Sequence, residues 1–212
     1  MKEYRDFDKE AGKWDQNAGR VKLANEVADA MISTINPQKD MEVLDFGCGT
    51  GLVTLRLQPY VKSITGVDSS AGMLQMLKDK VAQQGLANVR TQLVDFEKGE
   101  KVDGKFDLIV SSMTVHHVPD TASLFRMWHD LLKPEGQVCF SDLDAEDGSF
   151  HTDNTGVFHF GFDRNSLMKL LASSGFSDIR GSTAATVVKE VEGKGTKEFQ
   201  VFIIDARKRS ES

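Results

Sequence analysis

Short apolar runs alternate with stretches of helical periodicity through most of the chain. Apolar residues recur every three or four positions in residues 19–35, 70–85 and 120–132, which is typical of helices with one buried face. The apolar runs predict five strands, at residues 41–46, 63–68, 88–95, 105–112 and 137–144. Because strands and helices alternate, the pattern indicates an α/β fold with a parallel sheet that helices cover on both faces.

The last part of the chain breaks this alternation. Residues 176–191 and 197–208 predict two strands joined by the stretch "EGKGT", which favours a terminal hairpin with one antiparallel strand. Residues 145–162 carry few regular signals, and a connection of this length in a compact domain often has a function. "LLKPEG" predicts a turn that ends the preceding helix.

Composition narrows the class of protein. The 212 residues are 40% hydrophobic and 27% charged, which suits one soluble domain with a sizeable core. A net charge of −6 argues against a general affinity for nucleic-acid phosphates. Two unclustered cysteines, a polar start and no apolar run of membrane-spanning length predict a cytoplasmic protein without a signal peptide or membrane contact.

The first predicted strand runs directly into the stretch "VLDFGCGTG", in which Asp45 is followed by three glycines at alternate positions. A strand, a glycine turn and a helix form a nucleotide-type site, because small residues let backbone N–H groups approach a ligand. Asp68 ends the second predicted strand, at the distance expected of an acid that binds ribose hydroxyls. The dinucleotide pattern G-x-G-x-x-G/A does not fit, because Leu52 and Thr54 occupy its last position when it is counted from Gly47 and Gly49.

The pattern D-x-G-x-G-x-G resembles the first motif of class I S-adenosylmethionine-dependent methyltransferases. The similarity continues in order through "GVDSSAGML", "LVDFE", "FDLIVSSMTVHHVPD" and "LLKPEGQVCFSD". "AGKWDQNAGRV" and "GVFHFGFD" are similar to features of a small-molecule branch of the family, of the methyltransferase type 11, 12 or 25. The resemblance implies a doubly wound, Rossmann-like sheet of seven strands in the order 3-2-1-4-5-7-6, mostly parallel with the last strand antiparallel. It also implies a helical segment or lid at residues 1–36, a cofactor-binding domain at 37–212 and an insertion at 145–162 near the acceptor site.

The resemblance also implies which residues bind S-adenosylmethionine. The glycines would lie under its methionine part with Ser111 and Ser112 beside it, and Asp45 would order the turn and the amino group. Asp68 would bind the ribose. The adenine would be bordered by four residues: Ser69, Met73, Asp95 and Phe96. The full implied set is Asp45, Gly47, Gly49, Gly51, Asp68, Ser69, Met73, Asp95, Phe96, Ser111 and Ser112. Helical spacing alone would also place Met73 in the core, and Asp95 also fits a strand cap.

Histidines are the candidates for catalysis, because imidazole titrates near neutral pH. They are His117, after the fourth predicted strand, and His151 and His159, in the 145–162 insertion. Adjacent residues usually point in different directions, so at most one of His116 and His117 is expected to face the site. Trp14 fits either a core anchor or part of a lid. No metal site is expected, because these histidines lack a close ligand spacing such as H-x-x-x-H.

These observations predict an enzyme that transfers a methyl group to a small-molecule acceptor, as a monomer or homodimer and without a nucleic-acid partner. A cofactor-binding regulatory protein without catalysis remains the alternative. A macromolecular methyltransferase is less favoured, because the chain is acidic and has "SSMT" where an N/D-P-P-Y/F signature would stand.

Overall fold

A computed structural model describes residues 5–209 as one seven-stranded sheet flanked by helices. The strands are β1 (Glu42–Phe46), β2 (Ser63–Asp68), β3 (Val89–Leu93), β4 (Phe106–Ser112), β5 (Leu132–Leu143), β6 (Phe176–Val191) and β7 (Gly195–Lys208). The helices are α1 (Phe7–Trp14), α2 (Ala18–Ile35), α3 (Leu52–Leu57), α4 (Ala71–Gln84), α5 (Thr121–Leu131) and α6 (Arg164–Ser173). Within this part of the chain, no helix has the length and apolar character needed to cross a bilayer.

The strand order is β3-β2-β1-β4-β5-β7-β6, which confirms the predicted topology. Strands β1 to β5 pair in parallel, and β7 is antiparallel to both of its neighbours. Alternate residues of β1 enter different cores: Leu44 packs in the core that contains α5 and α6, and Val43 in the core that contains α2 and α3. The central strands are therefore buried on both faces, as their apolar sequence predicted.

Helix α2 agrees with the helix predicted at residues 19–35, and a second helix, α1, precedes it. Helix α2 begins after Asn17, whose side chain accepts a hydrogen bond from the Arg20 backbone, and it ends at the left-handed residue Asn36. The preceding helix α1 was not predicted from periodicity. It begins after Asp6, whose carboxylate accepts a hydrogen bond from the Lys9 backbone. Two capped helices, of 8 and 18 residues, therefore precede β1.

The turn predicted at "LLKPEG" is a bulge within β5. The strand already pairs at Leu132 with Phe106, and the next pair joins Gln137 to Leu108, so several residues of β5 bulge out of register. Glu135 lies in this bulge with a φ of 62°. The turn signal was thus real, but the chain on both sides of it belongs to one strand.

Residues 145–162 return to the carboxyl end of β5. Ala145 N–H donates to the Phe162 carbonyl, and Phe158 N–H donates to the His116 carbonyl at 3.0 Å. At Gly161, with a φ of 70°, a side chain would place its Cβ 2.0 Å from the backbone oxygen of Asp144. Backbone hydrogen bonds and a close approach thus hold this segment against the end of β5 and the turn that follows β4.

Candidate active site

A cavity of about 620 Å³ lies at the carboxyl ends of β1, β2 and β4. This is the edge at which ligands bind in doubly wound sheets, and the volume is in the range of about 300–1,000 Å³ found for ligand pockets. Its walls come from several parts of the chain. They are the glycine turn after β1, the ends of β2 and β4, the segment after β3, helices α1 and α2, and the segments around His151 and Lys189.

Glycine is needed for a different structural reason at each of the three positions of the turn. All are left-handed, with φ values of 69° at Gly47, 53° at Gly49 and 84° at Gly51. A Cβ at Gly47 would lie 2.3 Å from the Thr114 side chain, and one at Gly51 would lie 2.3 Å from Leu77. A Cβ at Gly49 would meet no atom within 4 Å, and Gly49 lines the cavity. Packing therefore requires two of the glycines, while the third keeps space free beside the backbone.

The Asp68 carboxylate accepts hydrogen bonds from two loops that border the cavity, the glycine turn after β1 and the loop after β2. Its Oδ2 accepts a hydrogen bond from Gly49 N–H at 2.8 Å, and its Oδ1 accepts one from Ser70 N–H at 2.9 Å. Protein surrounds the carboxyl group, and this desolvation raises the pKa of Asp68 despite the two hydrogen bonds. A carboxylate has about four acceptor positions, so two remain for the hydroxyls of a ligand.

Asp45 lies beneath the same turn and is 1% exposed. Its Oδ2 accepts a hydrogen bond from the Thr54 hydroxyl at 2.5 Å. Burial raises the pKa of Asp45 to about 7, and the nearby charge of Asp68 adds to the shift. Two acids thus stand close together at one end of the cavity, where they can attract a cationic or hydroxyl-bearing ligand.

Most of the other residues predicted for the cofactor line this cavity. They are Ser69, Met73, Asp95, Phe96 and Ser112. Gly51 and Ser111 are not among its lining residues. Ser111 is fully buried and its hydroxyl donates to the Phe46 carbonyl at 2.8 Å, because alternation along β4 sends it away from the side that Ser112 faces.

Three histidines meet at the other end of the cavity. His116 and His117 both line it, so the expectation that at most one would do so is wrong. They lie in a 3₁₀ turn, Val115–His117, in which neighbours do not alternate as they do in a strand, and their ring centroids are 4.1 Å apart. His151 reaches them from the 145–162 segment, with its Nε2 3.2 Å from Nε2 of His116.

His159, the other predicted catalytic histidine, is not among the lining residues. Its Nε2 bonds the Val118 carbonyl at 3.0 Å and its ring lies against Phe162. These contacts hold the segment that carries His151, so His159 is placed to support the loop.

The rings of His116 and His117 are each held at Nδ1. His116 Nδ1 is 2.7 Å from Asp142 Oδ1 in a buried pair, and His117 Nδ1 is 2.7 Å from the Gly156 carbonyl. Burial and the neighbouring imidazoles lower the pKa of His117 to about 3 and that of His151 to about 4. The rings of His117 and His151 are therefore neutral at pH 7, and each retains a nitrogen lone pair.

Helix α1 forms one wall of the cavity. Phe7 packs edge-on against His117 with ring centroids 5.3 Å apart, and the Arg20 guanidinium lies 3.9 Å from the centroid of Trp14. Asp8 fastens the helix by accepting hydrogen bonds from the Ser70 hydroxyl at 2.5 Å and from the Gly72 backbone at 2.7 Å. Trp14 is half-buried and lines the cavity.

Sequence reasoning missed His116 and three cationic residues of the cavity. These are Arg5, Arg20 and Lys189. Arg20 lies in the quoted stretch "AGKWDQNAGRV", which gave it no role, whereas Arg5 and Lys189 lie before α1 and in β6, outside every quoted motif. Adjacency to His117 was the only signal that could have pointed to His116.

Comparisons with known proteins identify the family of this chain. Residues 20–180 match the model of a methyltransferase domain family. The chain is 30% identical over 192 residues to an uncharacterized methyltransferase of Schizosaccharomyces pombe, covering 82% of this chain and 67% of that protein. It is 28% identical over 141 residues to a ubiquinone biosynthesis O-methyltransferase of Pseudomonas aeruginosa, covering 65% of this chain and 61% of that protein.

The fold is also found among solved structures. The YcgJ protein from Bacillus superimposes with a TM-score of 0.74 at 17% identity, covering 88% of this chain and all of that one. A Haemonchus contortus phosphoethanolamine N-methyltransferase solved with S-adenosyl-L-methionine has a TM-score of 0.70 at 15% identity, over 96% of this chain and 60% of that one. With the family model matching most of its length, this chain belongs to the class I S-adenosylmethionine-dependent methyltransferases.

Proposed function

We propose that this protein transfers the methyl group of S-adenosylmethionine to a small-molecule acceptor. The observation that carries the proposal is the composition of one cavity. Its acidic end holds Asp45, Asp68 and the open backbone at Gly49. Its other end holds neutral histidines and cationic side chains, so a cofactor and an acceptor with different chemistry would lie side by side.

The acidic end fits the cofactor that the family uses. Asp68 would accept hydrogen bonds from the ribose hydroxyls, Asp45 would order the turn near the amino group, and Phe96 and Met73 would border the adenine. The free space at Gly49 lets a ligand approach the backbone closely. The cofactor supplies the reactive methylsulfonium, and the protein supplies orientation and exclusion of water.

The residues at the histidine end of the cavity suit a small, polar acceptor. Arg5 and Lys189 line it, and Phe150 and Trp14 add aromatic surface. Because the rings of His117 and His151 are neutral at pH 7, either would accept a hydrogen bond from an acceptor hydroxyl or thiol and orient it toward the methyl group. We also propose that α1 and α2 form the lid over this site. The Pseudomonas relative is an O-methyltransferase by name, which favours an oxygen acceptor.

A screen of metabolite, protein and RNA fractions with methyl-labelled S-adenosylmethionine tests the proposal. We expect label in a small molecule with the wild-type protein and none with the Asp68→Ala variant. Cofactor binding by calorimetry without any labelled product would favour the non-catalytic alternative. Label found only in protein or RNA would favour a macromolecular methyltransferase.

A further inference from the structure

Three histidines form a cluster at the acceptor end of the cavity. One ring nitrogen from each of His116, His117 and His151 lies within 4.8 Å of the others. His116 is buried, whereas the other two are partly exposed at the cavity. Convergent imidazole nitrogens are the donor set that zinc, iron, nickel and copper ions take in proteins.

The rings are oriented as metal ligands usually are. A histidine that binds a metal through one nitrogen almost always donates the N–H of its other nitrogen to a carboxylate or a backbone carbonyl. His116 has such a partner in Asp142, and His117 has one in the carbonyl of Gly156, both at 2.7 Å. With Nδ1 acting as the donor in each ring, the Nε2 lone pair remains for a ligand.

The spacing of the nitrogens also fits an ion. His116 Nε2 and His151 Nε2 are 3.2 Å apart. Two nitrogens that share a tetrahedral zinc with bonds of about 2.0–2.1 Å are separated by about 3.3 Å. The buried carboxylate of Asp142 supplies negative charge behind His116, which partly offsets the charge of a cation. Arg5, a cation in the same cavity, is paired with Glu10 at 2.6 Å.

We propose that His116, His117 and His151 bind one divalent transition-metal ion of the zinc type. Sequence spacing predicted no metal site, but that argument applies along the chain and the ligands come from two segments that only the fold brings together. Three protein ligands leave a coordination position open, as in catalytic metal sites. This position borders the acceptor end of the cavity.

The position of the ion suggests its role, and this step rests on the proposed function. A hydroxyl or thiol of the acceptor would coordinate the ion, which lowers the pKa of the coordinated group and lets its proton leave to water. The acceptor oxygen or sulfur then forms a bond to the methyl carbon. The bond from that carbon to the sulfonium sulfur breaks, and its electron pair stays on sulfur as S-adenosylhomocysteine is released.

Metal binding is tested without cofactor or acceptor, on protein that carries no polyhistidine tag. Chelator-treated protein is titrated with Zn²⁺ by calorimetry and with Co²⁺ by visible absorption. His129 provides the matched control, because it lies in α5 and packs against Phe176 outside the cavity. Wild type and His129→Gln should bind one ion per chain and give the intense absorption bands of four- or five-coordinate Co²⁺.

Ligand variants decide the outcome. His151→Ala and His117→Ala should lose the Co²⁺ bands, and Asp142→Asn should weaken Zn²⁺ binding by about 10–100-fold. Thermal unfolding of each variant without metal identifies any that fail to fold. His151→Ala is the decisive variant, because His151 lies in a partly exposed loop. Absence of binding by wild type, or unchanged binding by both ligand variants, overturns the proposal and leaves His116 and His151 as a hydrogen-bonded pair.

The metal-binding proposal and the methyl-transfer proposal can each be refuted without refuting the other. Loss of the metal proposal would not affect labelled-methyl transfer, which is measured with the wild-type protein. Failure of methyl transfer would leave a measured Zn²⁺ affinity and Co²⁺ spectrum intact.

Discussion

Asp68→Ala is the substitution that most directly tests the cofactor site. In the structure the carboxylate holds the Gly49 and Ser70 backbone N–H groups at 2.8 and 2.9 Å, and it retains acceptor positions for two ribose hydroxyls. Hydrogen bonds to a charged group are worth about 1.5–3 kcal/mol each, so loss of two ribose contacts would cost about 3–6 kcal/mol. This corresponds to a decrease in cofactor affinity of about two to four orders of magnitude.

Calorimetry with S-adenosylhomocysteine at pH 8 measures this loss, since the pKa of Asp68 is raised and the higher pH favours its ionised form. The same substitution also removes the acceptor of the Gly49 and Ser70 N–H groups. The measured loss of affinity thus has two causes, the lost contacts to the ribose and the disturbance of the turn. An analogue without the 2′- and 3′-hydroxyls separates the two, because a double-mutant cycle reports only the coupling between Asp68 and those hydroxyls.

The cycle has a definite expected result. Wild type should bind the dideoxy analogue much more weakly than the parent compound, and Asp68→Ala should bind the two about equally. Asp79→Ala is the control, because Asp79 is exposed on α4, where it bonds Gln75. Additive losses in the cycle, or full affinity in Asp68→Ala, would refute the assignment of Asp68 to the ribose.

Two further predictions concern the neighbouring turn. Gly49→Ala should weaken cofactor binding and lower the free energy of unfolding by only about 1–2 kcal/mol, because the residue has a positive φ. Gly51→Ala should lower the free energy of unfolding by more than Gly49→Ala does, because its Cβ would lie 2.3 Å from the Leu77 side chain. Urea denaturation and calorimetry on both variants measure this, and the reverse pattern would contradict it. Burial raises the pKa of Asp45 from 3.8 to about 7, so the folded state keeps a proton that the unfolded state releases. The stability of wild type relative to Asp45→Asn should therefore fall by up to about 4 kcal/mol as the pH rises from about 4 to about 7 and level off above that; a difference independent of pH would rule this out.

Features that depend on neighbours along the chain could be predicted from the sequence. The periodicities located the strands of the parallel sheet, and the contiguous glycine motif located the turn after β1. Asn17, Ser70 and Asp120 each begin a helix by accepting a backbone hydrogen bond, which is a local interaction. The strand order required the family resemblance, because pairing between distant strands leaves no signal in local periodicity.

Features that depend on contacts between distant segments were decided by the tertiary structure. Strand alternation gave Ser111 and Ser112 opposite faces, but only the packing of β4 determined which of them reaches the cavity. The direction of His116 depended on a 3₁₀ turn, and its meeting with His151 depended on the path of a long irregular segment. Such contacts arise from packing and hydrogen bonds between remote residues, so the amino-acid pattern around each histidine carries no record of them.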